Sequence, residues 1–271
     1  MPTPALMIDS ASEFTPATLA NLAGRGLPGV VAVARPLYAG ATLGDSNTVP
    51  NRIATPLSAG EAVAILGAGL AVLPYCNSLG WGDLADTALV AEKVGSAIAL
   101  AHSIGLPAGG YMAFDLEDWQ VPDAALATIC ATIRNSNLGG SGIGYWSAAS
   151  SATSAWQRLR ATNADVARLL LWPARWNGWT DGNPLPSWAP GIDDPAVQAW
   201  QFTDRGKDGT LGVDVSLLRL PLLSIGGAAE GLWLANGQVG SPQAPDVTAA
   251  RASVQQAMAA LSTADRALAE A

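Results

Sequence analysis

Eight short apolar runs recur between Ala5 and Leu222: ALMID, GVVAVA, LAVLPY, YMAFDLE, GIGYW, RLLLWPA, AVQAWQF and TLGVDVS. Most are continuous rather than alternating, the pattern of parallel strands covered on both faces. Helix-like segments follow the first five, beginning near Pro16, Ser58, Asp83, Pro122 and Ala148. The Asp83 segment is the clearest, with an acidic first turn, apolar spacing of three and four, and a stop at Gly105 and Pro107. After the sixth run the chain turns rich in Gly, Pro, Asp and Trp and reads as a loop. The TDRGKDG joint between the last two runs is too short for a helix. Eight strands with about five helices predict an α/β fold, a TIM-like (β/α) barrel whose last third has lost its helices. The rival, a doubly wound open sheet, lacks its phosphate turn, since nothing after the first run resembles G-x-G-x-x-G.

Composition removes several functions. The chain carries a net charge of −8, and Lys93 and Lys207 are its lysines. No basic stripe marks a nucleic-acid binder, and an anionic membrane surface is disfavoured for the same reason. No apolar run reaches the roughly 18 residues of a membrane span, so membrane insertion is not expected. The opening MPTPALMIDS has no basic region followed by an apolar one, so no Sec-type signal peptide is expected. His102 is the single histidine, in a helix-like stretch, and reads as structural. Multi-histidine zinc chemistry is therefore out of reach, and no G-x-S-x-G elbow supports a serine triad. No metal or cofactor is expected. Cys76 and Cys130, far apart in sequence, read as free buried thiols.

The fourth run, GGYMAFDLEDWQ, carries the main chemical signal. Period-two alternation puts Asp115 and Glu117 on one face of a strand, with Leu116 on the other. Like charges side by side raise the pKa of one, a costly arrangement for a structural element and a common one for acid/base work on sugars. In a barrel the strand C-terminal ends converge on one mouth. Asp9 after the first run and Asp214 in GVDV join Asp115 and Glu117 at such ends. Any one alone could cap a helix or sit in a turn, but together they read as a site.

Aromatic residues fall near the same ends, among them Tyr75, Trp81, Trp119, Tyr145, Trp176, Trp179 and Trp200. Ten tryptophans against three phenylalanines is an unusual balance. Trp joins a flat apolar face to an N–H donor, which suits a partly wet cleft and the C–H face of a sugar ring. Trp156, on an outer helix, reads as core. Trp176 and Trp179, in the polar loop, read as ligand or partner contacts.

These features together resemble the family 25 glycoside hydrolases, the lysozyme-like muramidases. The chain resembles still more the related glycoside-hydrolase-like domain of unknown function of high-GC Gram-positive bacteria and their phages. MIDS looks like the first-strand Asp motif and AFDLED like the Asp-x-Glu strand. GIGYWS, LLLWPARW and AWQFTDRGKDGTLGVDVSLL look like the fifth, sixth and closing segments. The resemblance implies a glycosidase cleaving β-1,4 bonds of cell-wall peptidoglycan, with Glu117 as general acid and Asp115 assisting. Asp9, Asp214, Tyr75, Trp81, Tyr145, Trp176 and Trp200 would bind the glycan. The segment RPLYAGATLGDSNTVPNRIATPLSAGEA departs from the muramidase pattern and follows the unknown-function relatives. The alternative is a non-catalytic glycan-binding or structural module on the same barrel.

The expected organisation is a barrel over 1–224, a linker or irregular extension over 225–245, and a helix over 246–271. In that helix Val247, Val254, Leu261 and Leu268 recur every seven residues, with alanines three places after each. Such a helix either packs on the barrel or mediates self-association or docking to a larger assembly. The expected place of action is the bacterial cell wall, outside the cytoplasm, reached on a virion or through a phage lysis route.

Overall fold

The computed structural model describes residues 5–19, 30–38, 55–80, 82–116, 120–139, 142–179, 183–207, 212–219, 232–233 and 239–240. Eight strands form the wall: β1 (Ala5–Asp9), β2 (Val30–Pro36), β3 (Ala71–Cys76), β4 (Ala113–Asp115), β5 (Ile143–Ser147), β6 (Leu170–Ala174), β7 (Ala199–Lys207) and β8 (Gly212–Leu218). They pair in chain order and β8 returns to β1, which closes the barrel. Each apolar run of the sequence supplies one strand. Around the wall lie α1 (Ala59–Gly67), α2 (Thr87–Ser103), α3 (Asp123–Arg134), α4 (Ser151–Leu159) and the short α5 (Ala164–Ala167), with further helical residues at 16–19. The TIM-like barrel is the expected architecture.

One strand corrects the parallel reading. β1 to β7 run parallel, whereas β8 is antiparallel to both β7 and β1. A parallel crossover needs roughly a dozen residues or more. Lys207 instead pairs directly with Gly212 across a hairpin. Asp214 therefore lies near the start of β8, not at a strand C-terminal end. The reversal is what brings it to the mouth, opposite Asp9 in the β1–β8 register.

Helix starts follow local capping. Ser58 accepts from the Glu61 N–H to begin α1. Asp86 accepts from the N–H groups of Ala88 and Leu89 to begin α2, so the expected helix from Asp83 splits into a 3-10 turn (Asp83–Ala85) and α2. An aspartate in extended backbone takes up the first free amides of a helix better than it continues one. Asn163 caps α5, whose four residues are too few to show periodicity in sequence.

Strand alternation sorts the side chains into two cores. Inside the barrel, Met7, Leu73, Ile143, Leu170 and Trp172 pack with alanines from neighbouring strands. Trp172 fills much of this space and donates its indole N–H to Ser216 Oγ at 2.9 Å. Outside, Leu6, Ile8, Val33, Phe114 and Trp146 meet the helices. A Cβ on Gly144 would lie 2.0 Å from the Trp146 ring, so only glycine lets that indole lie flat on its own strand. Trp146 then donates to Thr153 Oγ1 on α4 at 3.0 Å. Cys76 and Cys130 are free and buried, as read from the sequence.

β4 reaches β3 only at Tyr75 and Cys76. Nearer the base of β3, a two-residue strand, β9 (Leu232–Trp233), pairs at Val72, and β10 (Val239–Gly240) pairs with β9. Leu232 enters the inner core and Trp233 the outer one. The expected linker thus contributes a small stave to the wall. The heptad segment 246–271 lies outside the described residues. Among the described residues, no helix is long and apolar enough to cross a membrane.

Candidate functional site

The inner positions nearest the mouth are polar where those below are apolar. Alternation continues from Ala5 and Met7 to Asp9 on β1, from Leu73 to Tyr75 on β3, from Ala113 to Asp115 on β4, and from Ala199 to Gln201 on β7. From the opposite direction, β8 brings Asp214 above Ser216. Asp9 is buried, while Asp115 and Asp214 are half-buried. The structure therefore gathers Asp9, Asp115, Asp214, Tyr75 and Tyr145 at one mouth.

Gln201, fully buried, ties this mouth together. Its amide nitrogen donates to Asp9 Oδ2 at 3.3 Å and to Asp214 Oδ2 at 3.2 Å. Its amide oxygen accepts from the Tyr145 hydroxyl at 2.8 Å and from Trp176 Nε1 at 3.0 Å. Four hydrogen bonds thus saturate one amide and connect β1, β5, β7, β8 and the loop after β6. Tyr145 also lies against Trp172, ring centroids 4.4 Å apart.

Tyr75 registers the field of this mouth. Its burial first, then the carboxylates of Asp9 and Asp115, push its hydroxyl well above the usual value of 10.0. The Arg35 guanidinium pulls the other way, and Asp214 adds a smaller upward push. Tyr75 therefore stays protonated and neutral throughout the ordinary pH range.

The tryptophans divide. Trp176 is 58% exposed, with its N–H engaged by Gln201, so its ring stands at the mouth as an open platform. Trp179 is buried, contrary to the reading as a contact residue. It donates to the carbonyls of Asn183 and Pro184 and meets Phe202 edge-on, stapling its loop. Trp200 is likewise turned away from the mouth. Strand alternation puts it on the outer face beside inward Gln201, where it donates to the Arg175 carbonyl and packs edge-on against Trp188. Trp156 is core, as expected. Glu117, Trp81 and Trp119 lie outside the described residues. His102 directs Nδ1 to the Leu106 carbonyl at 2.7 Å, a contact within its helix end.

Two features escaped the sequence reading. Gln201 is one of two glutamines in the apolar run AVQAWQF, and a buried amide in such a run signals that partners must exist. Arg35 and Glu61 form an ion pair with both side chains fully buried, 2.7 Å apart, on the outer face of β2. Arg35 also donates to the carbonyls of Ser10 and Thr55, while Glu61 accepts from the Phe14 N–H. Ser58-x-x-Glu61 has the spacing of a capping box, yet the Glu61 carboxylate serves Arg35 and Phe14. The pair fixes the loop that follows Asp9. No sequence period links residues 26 positions apart.

No protein-family model and no curated protein sequence matches the chain. Solved structures do. A protein of B. stearothermophilus described as uncharacterized aligns over 81% of this chain and 98% of its own, with 22% identity and a TM-score of 0.65. The Mycobacterium tuberculosis Tat-secreted protein Rv2525c aligns over 81% and 98%, with 17% identity and a TM-score of 0.54. GHIP, described as a glycosyl hydrolase 25 of Streptococcus pneumoniae, aligns over 81% and 88%, with 14% identity and a TM-score of 0.52. At these identities the likeness is one of fold, and the closed barrel described above is what the chain shares with these proteins.

Proposed function

We propose that the protein is a glycosidase acting on bacterial cell-wall glycan, cleaving β-1,4 bonds as a muramidase does. The observation that carries this reading is the gathering of Asp9, Asp115 and Asp214 beside an exposed tryptophan, at one mouth of a barrel shared with a glycosyl hydrolase 25. Glu117 stands two residues beyond Asp115 in the sequence. It is the general acid, giving its proton to the leaving glycosidic oxygen. Asp115 supports the positive charge that develops at the anomeric carbon. Asp9 and Asp214 bind sugar hydroxyl groups, and Trp176 stacks on a ring face. Tyr75 and Tyr145 line the same cleft, and Trp81 belongs to the glycan surface in this reading. The place of action is the wall, reached on a virion or through a phage lysis route, and residues 246–271 mediate association.

Purified cell walls of several chemotypes, digested and followed by mass analysis of released fragments, test the reading. Wild-type protein releases glycan fragments with new reducing ends. Glu117→Gln keeps the shape, removes the transferable proton and slows release by at least about a hundredfold while binding persists. Equal rates in the two proteins would show that the acid is misassigned. Binding without cleavage by either would favour a glycan-binding module.

A further inference from the structure

A neutral amide lies between two carboxylates that face each other in strand register. Asp9 and Asp214 are directly opposite on antiparallel strands, where like charges destabilise. One amide nitrogen, that of Gln201, reaches both, and its two hydrogens suffice for one bond to each. The two carboxylates favour this direction, and a donor on the other side that claims the amide oxygen fixes it further. The Tyr145 hydroxyl does not decide the matter, because a hydroxyl donates or accepts. Trp176 Nε1 does decide it, because an indole N–H only donates. A flipped amide would set N–H against N–H at Trp176 and oxygen against both carboxylates.

We propose that Gln201 is the positioning residue of the mouth, holding Asp9 and Asp214 together as a charged pair, and that Trp176 fixes the direction in which its amide points. The proposal rests on the reading of the mouth as a glycan site and deepens it. A sugar ring stacked on the exposed face of Trp176 lies one hydrogen bond from Gln201 and two from the carboxylates. Occupancy of the outer platform thereby firms the orientation of the inner pair. Among the described residues, the other titratable groups at this mouth are Tyr75 from β3, Asp115 from β4 and Tyr145 from β5, with the Arg35 charge of β2 also felt by Tyr75. β6 and β8 offer Trp172 and Ser216, which do not titrate.

Carboxyl carbon NMR on the full chain, with the two resonances assigned through Asp9→Asn and Asp214→Asn, reads the pair directly. Gln201→Met removes both N–H donors at similar volume. Each hydrogen bond to a charged group favours the ionised form, so their loss moves the titration of the pair upward by about one pH unit. Trp176→Phe, at an exposed position, leaves Gln201 in place but loosens its amide by removing one of the two donors to its oxygen. It moves the titration upward by a smaller amount, which decides the matter if Gln201→Met does not fold. An unchanged titration in folded Gln201→Met, or in Trp176→Phe, overturns the proposal. The measurement needs no turnover. A protein that cleaves no wall yet shows both shifts would end the hydrolase reading and leave the positioning role standing.

Discussion

Two buried polar clusters lie back to back across the β1–β2 wall, and they are built on opposite terms. On the outer face, Arg35 and Glu61 are a charge-balanced pair whose remaining donors and acceptors go to backbone groups of the neighbouring loops. On the inner face, Asp9 and Asp214 are like charges joined by a neutral amide, with Asp115 and the high-pKa hydroxyl of Tyr75 nearby. The outer cluster is what a fold needs to bury charge. The inner one is not, since it gathers like charges at one place, where a cation or a developing positive charge would be stabilised. The contrast separates structural from functional polarity within one wall.

The largest expected effect breaks the outer cluster. Arg35→Met leaves the Glu61 carboxylate buried without its counter-charge and should cost about 3–5 kcal/mol of stability in denaturant unfolding. A loss below about 1 kcal/mol would mean that water enters the site and the pair is not structural. The inner cluster should respond in the opposite sense. Asp214→Asn relieves cross-strand repulsion, so stability should stay level or rise by about 0.2–1 kcal/mol, while wall cleavage falls at least about tenfold. A stability loss matching that of Arg35→Met would erase the distinction between the clusters.

The smallest effect concerns Tyr75, and its sign follows from its raised pKa. A folded-state value above the unfolded one gives stability that is whole below the unfolded pKa, about 10. It is lost as pH rises through the folded value. Tyr75→Phe should therefore change little at neutral pH and flatten the alkaline fall in stability. In ultraviolet titration it should remove a component that ionises beyond the usual tyrosine range. Removal of a component near pH 10 would show that the mouth carries less negative field than its geometry implies.

Much of the fold was legible because each wall strand is a short apolar run, and burial on both faces writes itself directly into composition. Strand direction was not written there. Only the length of the TDRGKDG joint hints that β8 reverses, and Asp214 reaches the mouth by that reversal. The β9 stave was invisible because two residues carry no period, although Leu232 and Trp233 are both buried. At the site, Asp9, Asp115, Tyr75 and Tyr145 followed from their place at or near strand ends. The same rule, applied to β7, sends Trp200 outward and Gln201 inward. Aromatic character had drawn the sequence reading to the wrong neighbour. Trp176 and Trp179, three residues apart in one polar loop, look alike in sequence. Only packing distinguishes the open platform from the buried staple.

A crystal structure of Glu117→Gln with a cell-wall tetrasaccharide would show whether this mouth holds the glycan to be cleaved. The expected complex has a sugar ring stacked on Trp176, hydroxyl groups within hydrogen-bond reach of Asp9 and Asp214, and a glycosidic oxygen between the side chain of residue 117 and Asp115. A tetrasaccharide bound elsewhere on the barrel, with the Asp9–Gln201–Asp214 cluster untouched, would contradict it.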